Sequence, residues 1–450
     1  MKMLLKNINH IETMNEEREI IKKGYIYVED GIIKNVGTDN PPPCDNSYDM
    51  QDYVVLPGFV NTHHHLYQSL FRNVKEVTSS KLFDWLVYLY EKWKNIDNEA
   101  VYISALTALY EMMLTGVTTS TDMLYLHPKG RENFIDSEID AALRTGIRFH
   151  PARGFMTLSK KDGGLPPDSV VQKMDDILED IDRLINKYHD PKKYSMLRIA
   201  IAPCSPFSVT KESMEETVDL SNKYGVLLHT HLAETRDEEE FCIQKFGKRP
   251  VDYMEEIGWL NDKAWFAHLV WLSESDIDKL KKNDCGMAHC PLSNMRLGSG
   301  IAPVKNMYDK KIRIGIAVDG SASNDSGNFI QEIRTTLMLQ RVKNGADALT
   351  PRDVLYMATM GGAKVLRMDD YIGSIEPGKS ADIIGLKMDK LGFAGGLSDP
   401  ATAVVMCDAG RVDFSMINGK IRIKDSKIVN ENIDKIIEKQ NSISERLLNS

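Results

Sequence analysis

Eight short apolar runs punctuate the middle of the chain: Leu56–Thr62, Val117–Met123, Ile147–Arg153, Leu197–Pro203, Val226–Leu232, Ala264–Leu269, Cys285–His289 and Ile312–Asp319. Runs of this length, bounded by polar and turn residues, read as buried strands. Longer segments with helical spacing separate them. Val170, Met174, Ile177, Ile181, Leu184 and Ile185 recur close to a 3.6-residue period, and Thr350 followed by Pro351 is a helix start. Eight strand–helix repeats predict a (β/α)8 TIM-type barrel, in which chemistry gathers at the C-terminal ends of the strands. A doubly wound sheet is the competing arrangement.

The two ends of the chain follow a different pattern. Residues 1–56 alternate in short β-rich runs, with Gly24–Glu29 and Ile32–Val36 flanking the hairpin signal Asp30-Gly31. After residue 366 the pattern returns, with Ile383–Leu386 as a strand and Asn418-Gly419 as a second hairpin signal. The expected organisation is a small β-sandwich domain built from residues 1–56 and 366–450, around a catalytic barrel over residues 57–365. A charged, amphipathic helix closes the chain after about residue 430.

Composition narrows the function. The 450 residues carry a net charge of -9 and 42% hydrophobic residues. The acidic balance disfavours nucleic acid as a partner and leaves small molecules. The six cysteines are scattered without a CxxC pair, which suits a reducing cytoplasm. The N-terminus turns polar too soon for a signal peptide, and no apolar stretch reaches membrane-spanning length. The expectation is a cytoplasmic protein with no membrane partner.

Candidate chemistry falls on the strand ends. His63 and His65 end the first run; His229 and His231 end the fifth, with Glu234 three residues on. His268 ends the sixth, His289 the seventh and Asp319 the eighth. Residues two apart on a strand share a face, so His63 and His65 point together while His64 points away. Two imidazoles, one of the fifth-strand histidines and the Asp319 carboxylate make a donor set for one divalent metal with a position left for water. A metal there lowers the pKa of that water. Glu234 is then a candidate proton shuttle, and His268 a group that orients the water or binds the metal. Cys285, His289 and Cys290 suggest a zinc knuckle, but no second cysteine pair completes it, and His289 fits a strand-end role better. His10, His127, His150 and His189 lack this context and fit surface or core roles.

On these motifs the chain resembles the amidohydrolase superfamily. The pieces are Pro57–His65, His231-Leu232-Ala233-Glu234-Thr235, Ala267-His268, His289-Cys290-Pro291-Leu292-Ser293-Asn294 and Val318-Asp319-Gly320. They look like those of the single-metal aminohydrolases that deaminate purines, pterins and triazines. The resemblance implies a barrel with a β-sandwich, the metal ligands His63, His65, His231 and Asp319, proton transfer by Glu234 and assistance at the attacking water by His268. It implies one divalent metal, Zn2+ with Fe2+ as alternative, and a homo-oligomer. Leu66-Tyr67-Gln68, Leu82–Leu86, Lys161–Pro167, Ala202–Phe207 and Asp319–Asp325 look like the bacterial 8-oxoguanine deaminases in particular.

The resemblance also suggests substrate contacts. Gln68 stands where guanine deaminases place a purine-contacting glutamine, and an amide both donates and accepts along a purine edge. Cys204 stands where those enzymes carry an arginine, which argues against plain guanine. Trp85 and Trp93 are candidates for an aromatic wall. The implied activity is hydrolytic deamination of a purine-type heterocycle, 8-oxoguanine first, with release of ammonia. Hydroxytriazine aminohydrolase or chlorohydrolase, guanine deaminase and pterin deaminase are the alternatives. A two-metal cyclic-amide hydrolase fits less well, because Leu197–Pro203 has no lysine to bridge two ions. A non-enzymatic metal-binding protein would have no need of Glu234, His268 and Asp319 together.

Overall fold

A computed structural model describes residues 1–450. Eight parallel strands form the central sheet: β1 (Phe59–Asn61), β2 (Val117–Leu124), β3 (Arg148–Phe155), β4 (Ala200–Pro203), β5 (Leu228–Leu232), β6 (Ala264–His268), β7 (Gly286–His289) and β8 (Arg313–Ile316), paired in chain order. The Thr62 amide donates to the Ile316 carbonyl at 3.2 Å and the Asp319 amide to the His63 carbonyl at 3.3 Å, which brings the last strand back to the first. All eight predicted strands are present, and the architecture is a TIM-type barrel. Nearly every strand residue is buried, as expected for parallel strands covered by helices outside and packed side chains within.

Both chain ends meet in a second, mixed sheet of nine strands. Its centre pairs Tyr53–Pro57 with Ile383–Lys387 antiparallel, Leu56 opposite Ile384. Each hairpin signal forms a tight turn, with positive φ at Asp30 and Gly31 and at Asn418 and Gly419. A smaller apolar core, including Leu5, Ile8, Ile26, Val28 and Ile383, lies on this sheet apart from the barrel core.

The first predicted strand requires a correction. Leu56–Thr62 is not one strand: the chain leaves the mixed sheet at Pro57 and enters the barrel at Phe59. Gly58 makes the transfer. Its amide donates to the Asp382 carbonyl at 2.9 Å, and the Thr118 side chain fills the space a Cβ would need. Apolarity is continuous across the junction, so the pattern hides it. The fourth strand is also shorter than predicted, with only an isolated bridge at Leu197. The helix predicted from Val170 starts at Met174, because Val170 closes a turn onto the Pro167 carbonyl. Thr350 caps the helix that begins at Pro351, with Asp353 completing a capping box.

Four further elements frame the mouth of the barrel. After β1 a 3-10 turn (Leu66–Phe71) leads to α1 (Leu82–Trp93) and then α2 (Asn98–Leu114). The terminal helix α3 (Ile433–Leu448) packs against the 3-10 turn and α2. No helix is long and apolar enough to cross a membrane.

Candidate metal centre and substrate pocket

The strand ends deliver their polar side chains to one point. His65 Nε2 lies 3.0 Å from His231 Nε2, and Asp319 Oδ1 lies 3.3 Å from His63 Nε2 and 3.5 Å from His65 Nε2. His63, His65 and Asp319 are buried, and His231 is half-buried. Hydrogen bonds on the far side of each ring fix the tautomers. His65 Nδ1 donates to the Met123 carbonyl at 2.7 Å and His231 Nδ1 to the Cys204 carbonyl at 2.6 Å. His229 Nδ1 donates to the Trp265 carbonyl at 2.9 Å, so its Nε2 accepts from His63 Nδ1 at 2.7 Å. The three Nε2 atoms of His63, His65 and His231 therefore all present lone pairs inward.

Burial holds these imidazoles below their usual pKa, so they are neutral. Two lone pairs 3.0 Å apart repel unless something positive lies between them. His63 Nε2 has no hydrogen-bond partner although it is wholly buried. Three neutral imidazoles, an orphaned ring nitrogen and a carboxylate fit a divalent cation. Burial opposes the charge on Asp319, but the surrounding imidazoles of His63, His268 and His65 outweigh it, and the carboxyl lies well below the usual carboxylate range.

Beside this cluster stand Glu234 and His268: the His268 ring stacks on His231, and Glu234 Oε2 lies 3.6 Å from His268 Nε2. Burial pushes the Glu234 carboxyl up, although His268 pulls the other way and Ser299 Oγ donates to Glu234 Oε1 at 3.1 Å. Burial would lower His268, but Glu234 and Asp319 outweigh it and raise the imidazole. Asn294 Oδ1 accepts from His268 Nδ1 at 2.8 Å, which aims Nε2 at the carboxylates. Several of these residues sit on strained backbone: φ is +53° at Ala233, +75° at His268 and +60° at Asp319. Left-handed turns immediately after the strands swing the side chains over the barrel mouth.

The cluster floors a cavity at the mouth of the barrel. Leu82, Trp85, Leu86 and Tyr90 of α1 line it together with Tyr125 and Phe207, and Gln68, Cys204, Leu297 and Ser323 complete the lining. Gln68 is buried with Oε1 unpartnered, packed against Gly320, whose missing Cβ makes the room. Trp85 Nε1 donates to the Ala322 carbonyl at 3.2 Å, tying α1 to the loop after β8. The Cys204 thiol is pushed up to about 12 by burial and stays neutral.

The structure gathers His63, His65, His231, Glu234, His268, Asp319, Gln68, Cys204 and Trp85 around this cavity. It does not bring Trp93 there: that ring packs behind the wall, edge-on to Trp85, Tyr90 and Tyr67. His64 is turned away, with Nδ1 3.8 Å from Asp122 Oδ1. His289 is buried with neither ring nitrogen partnered, and Cys285 is hydrogen-bonded elsewhere, at the Asn261 carbonyl.

Sequence reasoning missed Glu238, Asn294, Ser299 and Ser323. Glu238 had a signal: Thr235-Arg236-Asp237-Glu238 is a capping-box pattern. Its carboxylate reaches past Thr235 to accept from the Ala233 and Glu234 amides, both at 2.8 Å. The other three act across loops and leave no local trace.

The amidohydrolase family pattern matches residues 54–422. An 8-oxoguanine deaminase of Pseudomonas aeruginosa is 42% identical over 428 residues, covering 94% of this chain and 95% of that protein. A hydroxydechloroatrazine ethylaminohydrolase of Pseudomonas sp. (strain ADP) is 33% identical over 413 residues, covering 88% of this chain and 85% of its own length. Among solved structures, an atrazine chlorohydrolase of Arthrobacter aurescens TC1 complexed with zinc superposes with a TM-score of 0.94 at 28% identity, covering 98% of this chain and all of that one.

Proposed function

Because the chain belongs to the amidohydrolase family, we propose that it is a hydrolytic deaminase of a purine-type heterocycle, with 8-oxoguanine as substrate. The observation that carries this reading is the convergence of two groups in one cavity. Three inward imidazole lone pairs and Asp319 form one, and the Glu234–His268 pair stands directly beside it, with His268 Nε2 4.0 Å from Asp319 Oδ2. The residues that would hold the metal are His63, His65, His231 and Asp319, and zinc suits that donor set. When bound, such a cation lowers the pKa of a water to near neutrality and stabilises negative charge on oxygen.

The chain's own residues supply the rest. Glu234, whose carboxyl burial raises, is the group placed to deliver a proton to a ring nitrogen, which makes the adjacent amine-bearing carbon more electrophilic. Asp319 accepts a proton from the attacking water, and His268 holds that water in line. The proton held on Asp319 then passes to the exocyclic amine, which leaves as ammonia, and the adduct hydroxyl returns a proton to Glu234 as the carbonyl forms. Gln68 pairs with the edge of the flat ring, and Trp85 covers its face.

Similarity to the 8-oxoguanine deaminase supports the purine, and Cys204 supports it further: a neutral thiol can face an added oxo group without the charge an arginine would bring. A hydroxytriazine is the second reading, favoured by the likeness to the ethylaminohydrolase and the chlorohydrolase. Ammonia release from 8-oxoguanine, guanine, isoxanthopterin and a hydroxytriazine, measured on zinc-loaded protein, separates these. The 8-oxoguanine kcat/KM is expected to exceed the others by at least about tenfold; a triazine preference would overturn the assignment. Glu234→Gln is expected to keep the metal and lose about 10²–10⁴-fold in kcat, whereas near-normal turnover would sink the proton-transfer scheme.

A further inference from the structure

Cys290 opens a second question about the same pocket. It lies directly after β7, wholly buried, and its thiol makes one weak contact, donating to the Ala288 carbonyl at 3.6 Å. Donor atoms of Cys290, His268, His63 and Asp319 all lie within 4.8 Å of one another. The ligand set assigned above uses His63 and Asp319 but neither Cys290 nor His268.

The two carboxylate oxygens of Asp319 face different neighbours, and Oδ1 also accepts from the Gly320 amide at 2.6 Å. Its Oδ1 is turned to His63 and His65, at 3.3 and 3.5 Å, whereas Oδ2 is turned to His268 Nε2 at 4.0 Å and accepts from Ser323 Oγ at 3.3 Å. His268 donates through Nδ1 to Asn294, so its Nε2 faces the carboxylates. A carboxylate can bridge two cations, as in sites where paired metals sit ~3.5–4 Å apart. Thiolate, imidazole and carboxylate together are a donor set for a zinc-like, thiophilic ion.

We propose that Cys290, His268 and Asp319 form a second, inhibitory cation site that fills after the first centre and takes thiophilic divalent ions such as zinc or cadmium. The proposal rests on the single-metal reading of the first centre. Binding replaces the S–H proton of Cys290 with an S–metal bond and releases that proton to solvent, so occupancy rises with pH. The second ion ties His268 to Asp319 and draws on Glu234, whose Oε2 is 3.6 Å from His268 Nε2. The groups assigned to proton transfer are then no longer free, and turnover stops.

Cobalt titration of the metal-free protein tests this, with activity followed in parallel. The first equivalent should restore activity without a thiolate signature. The second should bring a thiolate-to-cobalt charge-transfer band in the near ultraviolet while activity falls. Cys290→Ser should keep the first equivalent and its activity, lose the band and resist excess zinc by about 10–100-fold. Cys204→Ser should keep the band. A wild-type protein that stops at one equivalent would overturn the proposal, as would a second equivalent without the band or unchanged zinc inhibition in Cys290→Ser. Failure of the single-metal reading looks different: the silent, activating first equivalent is absent, and the second site falls with it.

Discussion

His229 touches no part of the cavity, yet it decides which nitrogen of His63 faces inward. Burial lowers its imidazole to about 3, so it is neutral and accepts the His63 proton while donating to Trp265. His229→Phe is expected to weaken zinc binding by about 10–100-fold, read by competition with a chelator, while zinc-saturated kcat changes little. Unchanged affinity would remove this role. Glu238 braces the turn that presents Glu234. Burial raises its carboxyl from 4.5 to about 7, against the pull of the two amides it accepts. The folded-state pKa lies above the unfolded one, so its stabilising contribution is complete below about pH 4.5 and is lost as pH rises through 7. Relative to Glu238→Gln, the wild type should lose on the order of 2–3 kcal/mol of stability between pH 4.5 and 8, measured by urea unfolding. A pH-independent difference would contradict it. Legibility at this scale follows the strand period. Every residue assigned here to metal or proton chemistry ends a barrel strand or follows one within a few residues, where periodicity could point. Asn294, Ser299 and Ser323 act by hydrogen bonds between loops, and no spacing announces those.

Most strands and their order could be read from runs of apolar residues, because parallel barrel strands are buried on both faces; β2, with Thr118 to Asp122, is the polar exception. Their ends could not. The join at Gly58 lies inside one continuous run, and Trp93 shares its helix spacing with Trp85 while facing the core. The segment between β1 and β2 is held by elements remote in sequence. Gln440 on α3 donates to Ser69 Oγ at 3.1 Å and accepts from Thr107 Oγ1 at 3.2 Å, and Ser444 Oγ donates to the Leu70 carbonyl at 2.6 Å. The terminal helix thereby props up the turn that carries Gln68. Gln440→Leu is expected to cost about 1–2 kcal/mol and to raise KM more than it lowers kcat, with zinc content unchanged. Steady-state kinetics with metal analysis check this, and an unaltered KM would separate α3 from the pocket.

Between the barrel and the mixed sheet lies a buried ion pair. Arg148 at the start of β3 reaches Asp382 through Nε at 3.1 Å and Nη2 at 3.0 Å, and Asp382 also accepts from the Asn418 amide at 2.6 Å. Removing one partner strands a buried charge, so Asp382→Ala is expected to cost about 3–5 kcal/mol, whereas replacing both with Arg148→Met and Asp382→Leu should recover much of it. Denaturant midpoints decide, and additive losses in the double variant would contradict the pairing. The mixed sheet has a further consequence, for the order of events during synthesis. Tyr53–Pro57 leaves the ribosome early, but its partner Ile383–Lys387 follows more than three hundred residues later. At about 5–20 residues per second, the N-terminal strands wait roughly 15–65 s with one edge open. Asp319 also emerges late, so the nascent chain displays His63 and His65 long before their carboxylate partner exists. Translation speed and chaperone cover, rather than final stability, then set how much of this chain matures without aggregating.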